Sequence, residues 1–510
     1  MLQSNTRFAS RARAVDNRAV DTSPAALSRP SLLAAAAVAA LGLACGDSST
    51  MGSESASDSA STQSGVTVTA SESGASDSSN ASGSGSDASA GATSNSNTST
   101  TSGGSTAGPT SDPLTSGNTN EPKFDVGEMP DAGDQVDCEC GNAGFSYIWI
   151  ANSHESTVTK LNTETMAEEG RYLTRADSNG DPSRTSVTIS GRAVAVANRN
   201  GGVVKIWASE EFCDENINGQ PGVQTSSGMG DVLPWGQDDC VAWYADMGHQ
   251  KQRPVAWTAG VLNQISCEYE DEKLWTSGCS GVEDITVHRL DGLTGEVEDS
   301  VIVPGFECGS YGAYGGAVDS QGNFWASSLT LPQSHLARVD AQTLEVKLYQ
   351  APYAGYGITV DSLDRPWMAS WTGNGGVTAM RFDPEQEIFE LATNFVANSM
   401  SGIQEDAEGR MWMNYWSHSA GGVTLRGLTY VDRDTLEVGP PIEITDAEVR
   451  GLSIDFDGNV WSTARFANAA YRYNPNTQQV DTYSLLNGPY TYSDMTGWAL
   501  QTAECGIPQG

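Results

Sequence analysis

Several arginines in this sequence stand beside aromatic residues at the ends of predicted strands. A guanidinium group next to an aromatic face suits a planar anion such as a carboxylate, sulfate or phosphate. The chain has 27 Lys and Arg against 64 Asp and Glu, so the alternative is that each arginine pairs with a carboxylate. The candidate ligand-binding residues are Arg184, Arg199, His249, Arg253, Tyr314, Tyr356, Trp371, Tyr415, Trp416, Arg450 and Arg465.

A second candidate site is a calcium loop at residues 214–225. Its Asp-x-Asn-x-Asn-Gly pattern is typical of loops in which alternate oxygens converge on the ion. A threonine stands at the twelfth position in place of the usual glutamate, so we expect a weak structural site, and the alternative is a turn rich in Asx residues. The predicted ligands are Asp214, Asn216, Asn218, Gln220 and Thr225.

Catalytic motifs are missing from the sequence. His154 and His418 lie in predicted loops of separate repeats, and no Ser-His-Asp or Cys-His arrangement can be assembled from local motifs. We therefore predict no catalytic residue.

A repeated unit must position these side chains. It has a Gly, an Asp four residues later and a Trp six residues after that. The Asp-x-x-Gly turn between two strand-like runs is typical of a hairpin. The four copies are Gly315-Asp319-Trp325, Gly357-Asp361-Trp367, Gly402-Asp406-Trp412 and Gly451-Asp455-Trp461.

The spacing of the repeat predicts a β-propeller. Successive tryptophans are 42, 45 and 49 residues apart (325 to 367, 367 to 412, 412 to 461), which is the length of a four-stranded blade. From about residue 140 to the end we predict an all-β, seven-bladed propeller with insertions at about 210–240 and 258–272. The first blade lacks an inner strand, and we expect Gly497–Gln501 to supply it and close the ring.

Strand direction sorts the loops into two faces. Because strands alternate in direction within a blade, three kinds of segment share one face, here called the top. They are the starts of the inner strands, the loops from second to third strand, and the loops from the fourth strand to the next blade. The Asp-x-x-Gly turns lie on the opposite face, the bottom. The candidate arginines and aromatics all fall on the top, where we expect Arg184, Arg253 and Arg450 to line the channel mouth.

The repeat and the blade count resemble the virginiamycin B (streptogramin) lyases and the NHL-repeat propellers, over about residues 140–505. Members of that lyase family open the ester of a cyclic antibiotic by elimination with Mg²⁺. The resemblance implies a His before the inner-strand Gly and a Glu three residues after the Trp. Here the His position holds Ser183, Tyr314, Tyr356, Ser401 and Arg450, and the Glu position holds Asn152, Asn198, Gly278, Ser328, Ser370, Tyr415 and Ala464. An elimination needs a general base, so the residues disfavour this chemistry.

The N-terminal region reads as an export signal. Five arginines precede a short Ala/Leu run that ends in Leu-Ala-Cys45, too short to span a membrane. This resembles a bacterial lipobox, in which Cys45 becomes lipidated; the alternative is ordinary cleavage near Ala44. We predict a signal peptide at 1–44, a disordered Ser/Gly/Thr-rich stalk at 45–122 and the propeller at 123–510.

The net charge of −37 disfavours nucleic acid as a partner. Eight cysteines remain after Cys45, an even number that suggests disulfides in an exported protein. From the facing of the strands we expect Cys279 to pair with Cys308, Cys213 with Cys240, and Cys505 with Cys140 or else Cys138. The partner of Cys267 stays open.

These features together predict a monomeric lipoprotein of the bacterial cell envelope. Its top face would bind a small molecule, a glycan or a protein, with an anionic group as one candidate. The alternative is a lyase or hydrolase for an ester or glycan substrate with non-standard active-site residues.

Replacing the predicted lipidation site tests the anchor. Cys45→Ser should move the protein from the membrane fraction to the soluble fraction while the propeller stays folded, because the lipid is the only expected attachment. Fractionation and metabolic lipid labelling measure this, and a wild-type protein without label would contradict it.

Overall fold

The computed structural model describes residues 146–505 except 264, 267, 372–375, 395–398 and 421–422, and it does not describe the side chains of 417–420 and 423. All of these residues belong to the second of the two units of the chain, Thr119–Gly510. The predicted signal peptide, Cys45, the stalk, Cys138 and Cys140 lie outside the described residues. Among the described residues, no helix has the length and apolar character needed to cross a membrane.

Seven antiparallel sheets confirm the predicted seven-bladed propeller. Blade 1 comprises β1 (Tyr147–Asn152), β2 (Thr157–Asn162) and β3 (Glu168–Leu173). Blade 2 comprises β4 (Pro182–Val187), β5 (Ala193–Asn198), β6 (Val203–Trp207) and β7 (Val241–Ala245). Blade 3 comprises β8 (Val255–Trp257), β11 (Lys273–Gly278), β12 (Asp284–Asp291) and β13 (Val297–Glu307). A separate hairpin, β9 (Val261–Asn263) with β10 (Glu268–Glu270), forms the second insertion. The first insertion contains a 3-10 helix, Glu210–Phe212.

Blades 4 to 7 are regular four-stranded sheets. Blade 4 comprises β14 (Ala313–Val318), β15 (Phe324–Ser328), β16 (His335–Val339) and β17 (Val346–Gln350), and blade 5 comprises β18 (Gly355–Val360), β19 (Pro366–Ser370), β20 (Val377–Asp383) and β21 (Ile388–Thr393). Blade 6 comprises β22 (Met400–Glu405), β23 (Arg410–Ala420), β24 (Val423–Asp432) and β25 (Ile442–Thr445). Blade 7 comprises β26 (Gly451–Ile454), β27 (Val460–Ala464), β28 (Ala469–Tyr473) and β29 (Val480–Tyr483). Each sheet pairs its strands in chain order.

The repeated Asp and Trp are joined by a buried hydrogen bond. In blade 7, Trp461 Nε1 donates to Asp455 Oδ2 at 2.7 Å, and the other carboxylate oxygen accepts the backbone N–H groups of residues 457 and 459. Blades 4, 5 and 6 repeat this bond at 2.9, 2.8 and 2.6 Å. One carboxylate therefore fixes both the turn and the strand that follows it.

The glycines of the unit serve two different needs. Gly322, Gly409 and Gly458 have positive φ in the turn, and Asp364, which replaces glycine in blade 5, adopts the same left-handed conformation with φ 61°. The first glycine of the unit lets neighbouring inner strands approach closely, since a Cβ on Gly451 would lie 1.7 Å from the backbone carbonyl oxygen of Thr491. A side chain at that position cannot be accommodated without moving the inner strands apart.

A row of cations links five of the seven blades to the blade that follows, at the bottom. In each of these blades, a Lys or Arg on the third strand pairs with the tryptophan position on the second strand. Its side chain donates a hydrogen bond to a backbone carbonyl of the following blade. Lys160 donates to the Ala208 oxygen at 2.9 Å and Lys205 to the Gly292 oxygen at 2.8 Å. In the same way, Arg289 donates to the backbone oxygen of Ala341, Arg381 to that of Arg433, and Arg472 to that of Thr163.

The C-terminal segment closes the ring, but not through the residues predicted. Residues 488–495 lie beside β1, with Trp149 N–H donating to the Met495 oxygen at 2.9 Å and Tyr490 N–H to the Ala151 oxygen at 3.0 Å. The prediction that Gly497–Gln501 is the inner strand is wrong, because Trp498–Cys505 forms the helix α1. Asp494 accepts the N–H groups of Gly497 and Leu500 at 2.9 and 3.2 Å and so starts this helix.

Helix α1 closes the bottom of the central channel. Ala499 and Leu500 line a narrow cavity of about 40 Å³ together with residues of the inner strands, among them Val255, Val318 and Gln404. A space of this size holds a few water molecules at most. The Trp498 indole N–H donates to the backbone carbonyl oxygen of Glu405 at 2.8 Å, and this bond fixes the helix against blade 6.

Two disulfides join the pairs that strand facing predicts. Cys213 is bonded to Cys240 across the first insertion, and Cys279 to Cys308 within blade 3. Cys505 is also disulfide-bonded; its predicted partners, Cys140 and Cys138, lie outside the described residues, as does Cys267.

Trp461→Phe should lower the free energy of unfolding by about 1–3 kcal/mol more than Trp149→Phe does. The first substitution removes a donor from the buried Asp455 carboxylate. Trp149 holds the same place in blade 1, and its Nε1 has no partner among the described residues, so the second substitution removes similar volume without a hydrogen bond. Urea denaturation of both variants gives the difference, and equal losses would contradict the role of the bond.

The bottom helix should make stability depend on pH. Burial, with smaller contributions from Asp364 and Asp319, raises the pKa of the Glu504 carboxyl to about 8. The folded protein therefore holds a proton that the unfolded chain releases above its ordinary pKa of 4.5, and stability falls as pH rises from there through about 8. Between pH 5 and 9 the wild type should lose on the order of 4 kcal/mol relative to Glu504→Gln.

Thermal melts across this range measure the difference. The exposed Glu437→Gln serves as control and should follow the wild type. A Glu504→Gln protein with an unchanged pH profile would show that the carboxyl is ionised in the folded state.

Candidate functional site

The starts of the inner strands bring aromatic and arginine side chains together at the top of the ring. Tyr314 lies in β14, Tyr356 in β18, and Arg450 directly precedes β26. We call this group the upper cluster. Its members are Arg184, Tyr314, Tyr356, Trp371, Trp416, Arg450, Tyr490 and Tyr492, and the six aromatic side chains form one buried group.

Four tyrosine hydroxyls meet within the upper cluster. The Tyr490 hydroxyl lies 2.8 Å from that of Tyr314 and 3.2 Å from that of Tyr356. The Tyr492 hydroxyl is hydrogen-bonded to Tyr356 as well. Because a phenol both donates and accepts, these groups form a continuous polar network shared by blades 1, 4 and 5.

Arg450 extends this network into blades 6 and 7. Its Nη1 donates to the Tyr356 hydroxyl at 2.9 Å, and its guanidinium lies 3.4 Å from the ring centre of Trp416. Trp416 meets Trp371 edge to face at 4.4 Å, and Trp371 stacks on Tyr356 at 4.4 Å. Glu448 forms an ion pair with Arg450, so the charge of this arginine is compensated.

Arg184 is a buried cation with no carboxylate partner among the described residues. Its guanidinium lies 4.8 Å from the ring centre of Tyr314 and 4.3 Å from that of Tyr492. It donates to the backbone oxygens of Tyr314 and Ser183 at 2.7–3.1 Å, and the residue is 1% exposed. In the part of the chain that the structure describes, no Asp or Glu oxygen lies within ion-pair distance of Arg184. The upper cluster therefore contains an uncompensated positive charge within that part.

The other predicted arginines lie at the edge of the upper cluster. Arg199 and Arg465 lie 4.8 and 5.1 Å from the ring centre of Tyr490. Arg199 is also ion-paired with Asp181. Arg253 Nη1 donates to the backbone carbonyl oxygen of Tyr311 at 3.2 Å. The structure thus brings five arginines of the predicted set to one face.

These arginines do not line an open channel mouth. Arg184, Arg253 and Arg450 are 1%, 4% and 7% exposed, because tyrosine and tryptophan rings pack over them. Tyr490 and Tyr492, which sequence reasoning missed, supply two of these rings. Their alternation in the run from 488 to 494 is typical of a strand and would have revealed them.

His249, in contrast, does not belong to the upper cluster. Its Nε2 lies 2.9 Å from Nε2 of His288, whose Nδ1 is 2.8 Å from the Ser300 hydroxyl. Burial, followed by the charge of His249, lowers the pKa of His288 to about 4. This histidine pair joins the loop after β7 to blade 3. His249 still lies on the top face, in the loop between β7 and β8, but outside the upper cluster, and its part in ligand binding stays a prediction.

The predicted calcium ligands are engaged with one another and with neighbouring side chains. Asp214 Oδ1 accepts the N–H and side-chain amide of Asn216 at 3.0 and 2.8 Å, and Asn218 Oδ1 accepts the N–H of Gln220 at 2.7 Å. Thr225 donates to Asp238 at 3.0 Å. Among the described residues no group of three or more His, Cys, Asp or Glu is arranged to hold a metal. Calcium binding here stays a prediction.

No protein-family model and no curated protein matches the sequence. Similar solved structures include virginiamycin B lyase from Staphylococcus aureus, with 14% identity over 60% of this chain and 84% of that one, at a TM-score of 0.39. Apo AztD from Citrobacter koseri has 11% identity over 68% and 97%, at 0.41. The dihydro-heme d1 dehydrogenase NirN in complex with DHE has 11% identity over 70% and 76%, at 0.43. None is close enough to carry a function to this chain.

Proposed function

We propose that this protein is a lipid-anchored binding module of the cell envelope whose top face takes a ligand with an anionic group. The upper cluster is the proposed binding surface. The observation that carries the proposal is Arg184, a buried guanidinium with no carboxylate beside it among the described residues. A buried positive charge of this kind stabilises an anion that approaches it, because the surroundings screen the attraction poorly.

The aromatic part of the upper cluster offers hydrogen-bond donors to the same ligand. The linked hydroxyls of Tyr314, Tyr356, Tyr490 and Tyr492 can each turn a proton toward an anion. The buried Trp416 Nε1 has no acceptor among the described residues. Such an unpaired donor costs free energy until a ligand or water accepts from it.

Envelope anchoring rests on the sequence. The basic segment, the apolar run and Cys45 support export and lipidation, and the Ser/Gly/Thr-rich stretch from 46 to about 122 supports a flexible tether. The strongly acidic composition supports a small molecule, glycan or protein as partner over nucleic acid.

The alternative of a lyase or hydrolase needs a general base beside the ligand. Two described carboxylates contact arginines of the top face: Glu448 is ion-paired with Arg450, and Asp181 with Arg199. The positions at which the lyase pattern expects histidine hold Ser, Tyr and Arg. Binding is therefore the function that the geometry supports better.

Anion-dependent stabilisation tests the proposal. Sulfate, phosphate and benzoate should each be added to the purified propeller, and at least one should raise Tm, since a ligand bound only to the folded state stabilises it by mass action. Arg184→Gln should abolish this rise because it removes the uncompensated charge. Arg338→Gln, an arginine over Trp325 on the outer part of blade 4, should retain it.

A second variant guards against loss of folding. Tyr356→Phe keeps the packing of the upper cluster but removes the hydroxyl that joins Tyr490, Tyr492 and Arg450, and it should weaken the effect about tenfold. The proposal is wrong if no anion raises Tm, or if both arginine variants respond like the wild type.

A further inference from the structure

A second cleft lies on the bottom face, between blades 2 and 3 and away from the upper cluster. It has a volume of about 490 Å³, within the range of small-molecule sites. Both insertions of the propeller contribute to it. Phe212 comes from the first insertion, Tyr269 and Glu272 from the second, and Arg192 and Trp207 from blade 2.

One wall of the cleft is aromatic. Trp207 and Phe212 lie 5.9 Å apart, and the Arg192 guanidinium lies 5.0 Å from the ring centre of Phe212. Tyr269 lines the same space. The wall offers a flat apolar surface bordered by polar groups, which is the common composition of a ligand site.

Lys205 lines the cleft but has a structural role. It donates to the Gly292 oxygen at 2.8 Å and lies over the Trp207 ring at 3.9 Å. Lys160 makes the equivalent bond from blade 1 to blade 2, so Lys205 belongs to the row of cations that links the blades. We therefore do not assign it a chemical task.

Two buried polar atoms at the cleft have no partner among the described residues. They are the acceptor Glu272 Oε1 and the donor Arg192 Nε. The neighbouring carboxylates are engaged, since Asp271 and Asp291 both contact Lys273, at 2.8 and 3.2 Å, and Glu270 accepts from Asn263. Buried polar groups in folded proteins are almost always satisfied, so these two atoms point to a ligand that both donates and accepts.

The charges around the cleft favour a neutral ligand. Arg192 and Lys205 supply positive charge, while the carboxylates supply negative charge. Burial raises the pKa of the Glu272 carboxyl, and a hydroxyl can bond to either of its protonation states because it donates as well as accepts. A fixed cation or anion would meet groups of its own sign.

We propose that this cleft binds a carbohydrate. The apolar face of a sugar ring would pack on the wall of Trp207 and Phe212, and its hydroxyls would donate to Glu272 Oε1 and accept from Arg192 Nε. A carboxamide also carries a donor and an acceptor, but it lacks the broad apolar face that fills an aromatic wall.

Saturation-transfer NMR on the purified full chain tests this. The probes are cellotriose, maltotriose, mannotriose and chitotriose at up to about 20 mM, where weak ligands are still detected, with N-acetylasparagine amide as the carboxamide probe. At least one saccharide should bind. Glu272→Ala and Phe212→Ala should each weaken that binding about tenfold or more.

Both variants should fold, because Glu272 Oε1 holds no hydrogen bond among the described residues and Phe212 is only partly buried; thermal melts measure this. Phe389→Ala, a partly buried aromatic of blade 5, is the matched control and should bind as the wild type does. The proposal is overturned if no saccharide binds, if only the carboxamide binds, or if the two cleft variants bind saccharide unchanged.

Discussion

The propeller depends on a buried carboxylate that performs two tasks in each of its four regular repeats. In blade 7 one oxygen of Asp455 holds the turn between the inner and second strands, while the other accepts the indole N–H of Trp461. The turn therefore fixes which residues of the two strands face each other. Since register decides which side chains reach the top face, the position of Tyr314 and Tyr356 follows from this bond as much as from their own packing.

The sequence alone was sufficient for the architecture because its determinants are local. A Gly, an Asp and a Trp within eleven residues specify a hairpin, and four copies at blade spacing specify a ring. The disulfides Cys213–Cys240 and Cys279–Cys308 also followed, since facing depends only on counting strands. The C-terminus was misread because Gly497 and Trp498 imitate the unit, whereas Asp494 starts a helix there.

The candidate site was predicted less completely, for a physical reason. Its residue types and its face could be assigned from the repeat, but whether Arg184 meets solvent, a carboxylate or a tyrosine ring is decided by contacts between blades far apart in sequence. Arg184 lies against Tyr314 and Tyr492, which are 130 and 308 residues away. The cleft between blades 2 and 3 escaped prediction in the same way, because two insertions build it jointly.

The closing segment has a consequence for how the chain is made. Residue 151 pairs with residues 490 and 491, across a sequence separation of about 340, and contacts that distant are slow to form. A chain emerging from the ribosome in order has almost all of its blades before it has the strand that completes the first one. The ring can close only after residues 488–495 have been made, later than every strand of blades 2 to 7, so the order of synthesis itself sets the earliest moment at which the native state becomes available.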